Sequence, residues 1–457
     1  MRTRLLALLL FCASLLTVVG VAHASETIAE HKANAYAAEQ LASHPVWGNL
    51  PDYSLAPAKL AEAQSVEHTR NTLYFVGMIW GFVQAILLLW LGIIAWMRDR
   101  AVAAGANLRA RGARFRAFWI ECAIFAVLYS LAGTVLDLPL AIFGHHLQRL
   151  HGLSVQGWGG WLGDQGKSLG LGLLGSILSF ALLMFMIRWL PRVWWLVFWA
   201  VLAPLTIAMI YAMPIYIDPL FNKFEPLQKT QPELVAKLEL IVKKGHMDIP
   251  PERMFLMKAS SKVTTINAYV TGFGGSKRVV VWDTALQKAT PDEVLFIFGH
   301  ESGHYVLGHV MQGMKQIFLG LLIVFFLGYF VLQWMLRRFG PQWRITAQSD
   351  WGTIAVFFFV ISIFSTLLTP VINVSSRQKE HAADVYGMEA VHGIVASPQD
   401  VAQQAFVVLG KNSLVVPNEP VWLELWLENH PQIGRRAAFA HAYDPWADGV
   451  EPKYFKK

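Results

Sequence analysis

Residues 299–335 read GHESGHYVLGHVMQGMKQIFLGLLIVFFLGYFVLQWM, with three histidines and a glutamate in the first eleven positions and an apolar run from 317 onward. The first part carries groups that bind cations and move protons. The second is apolar over about the length that a helix needs to cross a bilayer core. A polar helix of this kind leading directly into a membrane span decides the class of fold.

Outward from 317–336, further apolar segments lie near 72–97, 115–143, 168–187, 193–216 and 351–372. Across all 457 residues, 55% are hydrophobic and 15% charged, and the mean hydropathy is +0.41. A water-soluble core does not require that much apolar surface, whereas a bundle of membrane helices does. The reading is an all-α polytopic membrane protein with six spans. Residues 1–24 form either a signal peptide, with Ala22-His23-Ala24 before Ser25, or a seventh span. Between these lie a polar segment at 25–71, four spans at 72–216, a soluble stretch at 217–316, a span hairpin at 317–372 and a second soluble stretch at 373–457.

The net charge of +7 could suggest a nucleic-acid partner, but much of it lies in short connections between apolar segments. Arg98, Arg100, Arg109, Arg111, Arg114 and Arg116 occupy the first connection, Arg188 and Arg192 the second, and Arg337, Arg338 and Arg344 the third. Basic residues there set topology, so nucleic acid is not expected as a partner. All three connections fall on the cytoplasmic side, which puts 217–316 and 373–457 together on the other side. Cys12 and Cys122 both lie inside apolar stretches and offer no metal site or disulfide.

His300 and His304 are one helical turn apart, so their imidazoles share a face, and Glu301 lies about 100° further round. This is the H-E-x-x-H arrangement of a zinc peptidase, in which the imidazoles hold the ion and the carboxylate takes a proton from water. His309 lies about 140° past His304 on a continuous helix, off the ligand face, and reads as structural or as a partner of a ligand. In the stretch NVSSRQKEHAADVYG, Glu380 and Asp384 are again one turn apart. That spacing suits one carboxylate on the metal and another holding a ligating imidazole by its far nitrogen. Two histidines and a glutamate would leave a position open for water, as a catalytic zinc requires.

The stretches HGLSVQGWGGWLGDQGKSL, YIDPLFNKFEPL, NAYVTGFGGSKRVVVWDT, HESGHYVLGH, NVSSRQKEHAADVYG and ENHPQIGRR, in this order and spacing, resemble the integral-membrane zinc metalloendopeptidases typified by the type I CAAX prenyl protease. The resemblance runs from about residue 50 to about residue 440. It implies a split, mainly helical zinc-metallopeptidase domain with a small β edge strand and one zinc ion per chain. By the same resemblance, His300, His304 and Glu380 are the ligands, Glu301 is the general base and Asp384 is the acid behind a ligand. Asn267, Ala268 and Tyr269 would lie along the substrate backbone, His430 and Arg436 would stabilise the oxyanion, and Arg377 would be a structural partner in the glutamate helix. The implied substrate is a peptide or protein, prenylated or not, met in a bacterial inner membrane in contact with lipid.

Ala437 follows the arginine where the family often has a branched apolar residue, and the N-terminal leader departs from the family's retained first helix. An HtpX-like quality-control protease shares the same chemistry. A transporter or scaffold with a structural metal is the reading outside catalysis, prompted by Glu121 and Asp137 in or beside a span.

Overall fold

The computed structural model describes residues 26–272, 276–447 and 449–456, so the leader 1–24 lies outside the described residues. The chain begins with helices α1 (Ile28–Ser43), α2 (Pro57–Trp90), α3 (Ile93–Ala110), α4 (Arg114–Leu150), α5 (Trp158–Trp189) and α6 (Trp194–Ala212). A mixed region follows, with β1 (Phe224–Pro226), α7 (Pro232–Lys244), β2 (Met254–Met257), β3 (Ala268–Thr271), β4 (Arg278–Trp282) and α8 (Pro291–Val306). The chain continues through α9 (His309–Trp343), α10 (Thr353–Val391), α11 (Pro398–Ser413), α12 (Val421–Leu427) and α13 (Ile433–Ala442).

Among the described residues, six helices are long and apolar enough to cross a bilayer: α2, α4, α5, α6 with its continuation to Phe221, α9 and α10. The number agrees with the sequence reading, but the boundaries do not. The first span begins at Pro57, inside the segment read as polar, and α9 begins at His309, inside the first soluble stretch. The last span runs unbroken past residue 372 to Val391. Hydropathy marks where lipid ends, while the helix continues because its backbone bonds are internal and only its side chains change character. The helix that carries Glu380 and Asp384 and the sixth span are therefore one rod.

Residues 98–110, expected in a loop, are helical and pack as α3 along α4. The break before them is at Gly92, whose φ of +72° is left-handed and whose carbonyl accepts from the Arg344 guanidinium at 3.0 Å. Arg98 pairs with Asp350 at 2.6 Å, and Arg109 pairs with Glu121. Arg188 donates to the Ser349 carbonyl at 3.2 Å. The three arginine-bearing connections thus meet at one end of the bundle. Glu380 lies about 40 Å along α10 from that end.

Two cores divide the molecule. Phe125, Met184, Phe325, Leu332 and Val356 fill the membrane bundle. Leu238, Val294, Phe298, Tyr386, Phe406 and Phe439 fill the part outside it. The sheet in that part runs β1-β2-β4-β3, with β2 and β4 parallel and β3 antiparallel to β4 in the register Ala268↔Val281 to Thr271↔Arg278. β3 is therefore an edge strand, and it packs on α8. Thr290 caps α8, its hydroxyl accepting from the Glu293 amide at 3.3 Å while Glu293 returns a bond from the Thr290 amide at 2.9 Å, with Pro291 in the first turn.

Candidate metal centre

The centre forms where α8 crosses α10, and the crossing depends on missing side chains. A Cβ on Gly387 would sit 2.8 Å from the His300 amide nitrogen, and one on Gly299 would sit 3.2 Å from the Gly387 carbonyl oxygen. Gly387→Ala is expected to push the helices apart at an overpacking cost of about 1–3 kcal/mol. Thermal melting should show the loss of stability and metal analysis a loss of bound ion; an unchanged metal content would show that the contact does not set the site.

At the crossing, His300 Nε2 and His304 Nε2 are 3.1 Å apart. Glu380 places its oxygens 3.3 Å from His300 Nε2 and 3.2 Å from His304 Nε2. Tetrahedral ligands at zinc–nitrogen distances of about 2.0–2.1 Å stand roughly 3.3 Å apart, so this spacing fits a zinc-sized cation. Glu380 Oε2 is buried without a hydrogen-bond partner among the described residues, as a ligand atom would be. Burial opposes a charged His300, yet the Asp384 and Glu380 carboxylates at its two nitrogens raise its pKa to about 9.

Behind the donors, Asp384 contacts His300 Nδ1 at 2.8 Å. Arg436 grips Asp384 with two bonds, Nε at 2.9 Å and Nη2 at 2.6 Å, and its guanidinium stacks 4.5 Å over the Phe406 ring. His304 has its own partner, since His309 Nδ1 lies 3.0 Å from His304 Nδ1. This fits the reading of His309 as a partner of a ligand, although the route differs from a continuous helical wheel because the helix is broken. α8 stops at Val306, and Gly308 at φ +69° starts α9, returning His309 toward the site. Gly308 was the available signal.

Glu301 makes no hydrogen bond or ion pair with the described residues. Its carboxyl is pushed up first by burial, against the pull of His300 and His304. His430 lies at the open front, half-exposed, with Nε2 3.4 Å from Glu380. The two residues expected to act together approach the same Glu380 oxygen from different surroundings: His430 from the open front, and Arg436, buried and bonded to Asp384, with Nη2 at 3.8 Å. Asn267 is exposed just before β3, Ala268 is buried and Tyr269 is half-buried. Gly272, at φ +93°, ends the strand where a Cβ would sit 2.3 Å from the Ser276 carbonyl oxygen.

The segment that carries His430 is held from below. Arg377 donates to the Glu424 and Glu428 carbonyls at 2.7 and 2.6 Å. Beside it, the carboxylates of Glu67, Glu419 and Glu428 come within 4.8 Å of one another. Burial, and then the neighbouring carboxylates Glu67, Glu428 and Glu424, push Glu419 up to about 8. Between its ordinary value and about 8, the folded chain holds a proton there that the unfolded chain lacks, so stability falls as pH rises through that window. Glu419→Gln should therefore melt above wild type at pH ~8 and match it near pH ~5. A gap between the two proteins that does not change with pH would refute this.

Two family models match the chain: Peptidase family M48 over residues 228–444, and the CAAX prenyl protease N-terminal region, described as five membrane helices, over residues 50–223. An uncharacterized metalloprotease, YhfN, of Bacillus subtilis is 29% identical over 408 residues, covering 85% of this chain and 87% of the relative. CAAX prenyl protease 1 of Saccharomyces cerevisiae is 29% identical over 332 residues, covering 68% and 70%. The human CAAX prenyl protease 1 homolog is 23% identical over 352 residues, covering 68% and 72%. The crystal structure of S. mikatae Ste24p superposes with a TM-score of 0.71 at 19% identity, covering 91% of this chain and 99% of that one, which establishes the shared fold.

Proposed function

The chain belongs to peptidase family M48 and is a membrane metalloprotease acting on a peptide or protein substrate, and from that premise we propose that hydrolysis takes place at His300, His304 and Glu380 with one zinc ion per chain. The family implies a metal, generally zinc. The observation that carries the reading is a compact three-donor set with an unpartnered, half-buried carboxylate one residue beyond His300 on the same helix.

Bound there, zinc would supply Lewis acidity to a water and to the peptide carbonyl. Glu301 takes the proton of the attacking water and hands it to the leaving amine; its raised affinity for a proton suits both transfers. Asp384 fixes the tautomer of His300 by accepting a hydrogen bond from its Nδ1–H, and His309 Nδ1 does the same for His304. His430, at the open front, donates to the developing oxyanion. Arg436 acts through Asp384 as a positioning residue, because its guanidinium is spent on that carboxylate. The free edge of β3 takes the substrate backbone as an added strand, Ala268 and Tyr269 running along it and Asn267 bonding near the scissile carbonyl.

The two halves of the peptidase part lie on either side of the α9–α10 hairpin. The meeting of the arginine-bearing connections at the far end of α10 supports a cytoplasmic side there and a catalytic side on the opposite face of a bacterial inner membrane. The named relatives with CAAX prenyl protease activity in their names support a prenylated peptide as a substrate.

The test is purified protein with a farnesylated CAAX peptide and its unprenylated twin, with products read by mass spectrometry. Preferred cleavage of the farnesylated peptide, abolished by chelation, is the expected result. Equal cleavage of both would remove prenyl recognition, and cleavage of unfolded membrane proteins alone would move the substrate class to quality control.

A further inference from the structure

At the arginine-rich end, about 40 Å along α10 from the metal centre, a cavity of about 960 Å³ opens between α3, α4, α5 and the connection before α10. Arg109, Arg114 and Arg188 line it, with Phe118 and Ile187 giving it an apolar wall and Gln348 a polar one. Each arginine comes from a different helix.

The acids nearby are already committed. Glu121 takes Arg109 and also accepts from Trp351 Nε1 at 3.0 Å. Asp350 takes Arg98 and the Gly352 amide. Arg188 donates only to the Ser349 carbonyl and lies 4.7 Å over the Trp351 ring, so it has no carboxylate partner. The Arg114 guanidinium has no hydrogen bond or ion pair with the described residues, and its backbone amide donates to the Gly112 carbonyl. Two guanidinium groups therefore line one cavity without a hydrogen-bonded carboxylate, although Glu121 and Asp350 lie near enough to Arg188 to attract it. Guanidinium is the group that best matches a phosphate's planar pair of oxygens.

The surroundings decide which phosphate. Phe115, Trp119, Phe185 and Trp189 are exposed around the ends of α4 and α5, at 75%, 37%, 54% and 68% of their full area. Aromatic rings exposed beside a basic helix end mark the membrane–water interface. A ligand there meets positive charge at its head and apolar surface along its length. The positive-inside pattern puts this end in the leaflet that carries anionic lipid. We propose that the cavity seats the phosphate of an anionic phospholipid, with Arg114 and Arg188 as its partners and the acyl chains against the exposed rings of α4 and α5. The lipid would pin α4, α5 and the connection before α10 together.

The test uses the full chain, delipidated in detergent, with native mass spectrometry and thermal melting as readouts, both independent of protease activity. Phosphatidylglycerol, phosphatidylcholine and inorganic phosphate are added separately. Phosphatidylglycerol should be retained and raise the melting temperature, while phosphatidylcholine and inorganic phosphate should do neither. Arg114→Gln should weaken retention about tenfold, the loss of one charged pair. Arg188→Lys should keep part of it, should Arg188→Gln fail to fold. Arg116→Gln removes the same charge without touching the cavity and should leave retention unchanged. Equal retention of both lipids, an equal shift from inorganic phosphate, or an equal loss in Arg116→Gln would each overturn the proposal.

Discussion

Glu301→Gln is expected to cut peptide hydrolysis roughly a thousandfold while the protein keeps its metal. Gln preserves the size and shape of the side chain but can neither take a proton from water nor return one to the leaving amine. The donor atoms of His300, His304 and Glu380 are untouched by the change, and Glu301 bonds to none of them. Metal content and melting temperature should therefore match wild type. Two results would remove Glu301 from the reaction: a rate within a few-fold of wild type, or a loss of metal that explains the loss of rate. The second distinguishes a general base from a fourth ligand, which is the real competitor for an unpartnered carboxylate at this position.

Asp384→Asn should produce the largest combined effect on metal and stability. Asp384 is buried, contacts His300 Nδ1 at 2.8 Å and takes two bonds from Arg436. Without its charge, His300 loses the acceptor that fixes its tautomer, and metal affinity should fall about 10- to 100-fold. Arg436 is left buried without the carboxylate that grips it, keeping only the longer contact with Glu380 at 3.8 Å, and breaking such a buried pair costs about 3–5 kcal/mol. The two consequences can be separated. Adding Arg436→Gln removes the stranded charge, so the double variant should melt well above Asp384→Asn while its metal affinity stays low. A double variant no more stable than the single would show that Arg436 was not held by that carboxylate. Stripping the metal from wild type with a chelator should lower its melting temperature, and should do so less in either variant.

What was legible in the chain follows the range of the interactions involved. H-E-x-x-H could be read because residues one turn apart share a helix face wherever the helix lies, and the start of α8 could be read because Thr290, Pro291 and Glu293 cap it locally. The spans were legible because lipid responds to local hydropathy. Their ends were not, because a helix leaving lipid keeps its backbone bonds, so α10 carries Glu380 and Asp384 on the same rod as the sixth span.

The reading of His309 as structural or as a partner of a ligand agrees with its contact to His304; the helical wheel misjudged only the path, because Gly308 starts a second helix. The family resemblance set Arg436 beside His430 at the oxyanion, while the partner that grips its guanidinium, Asp384, lies fifty-two residues away in the chain. By itself, then, the sequence determined the membrane class, the number of spans and which ionisable side chains share a helix face one turn apart, all set by contacts within a few residues. Only the tertiary structure decided which of those side chains meet. That depends on Gly299, Gly303 and Gly387 letting α8 approach α10 closely, and on which buried charge finds which partner, and neither is set by neighbours in the chain.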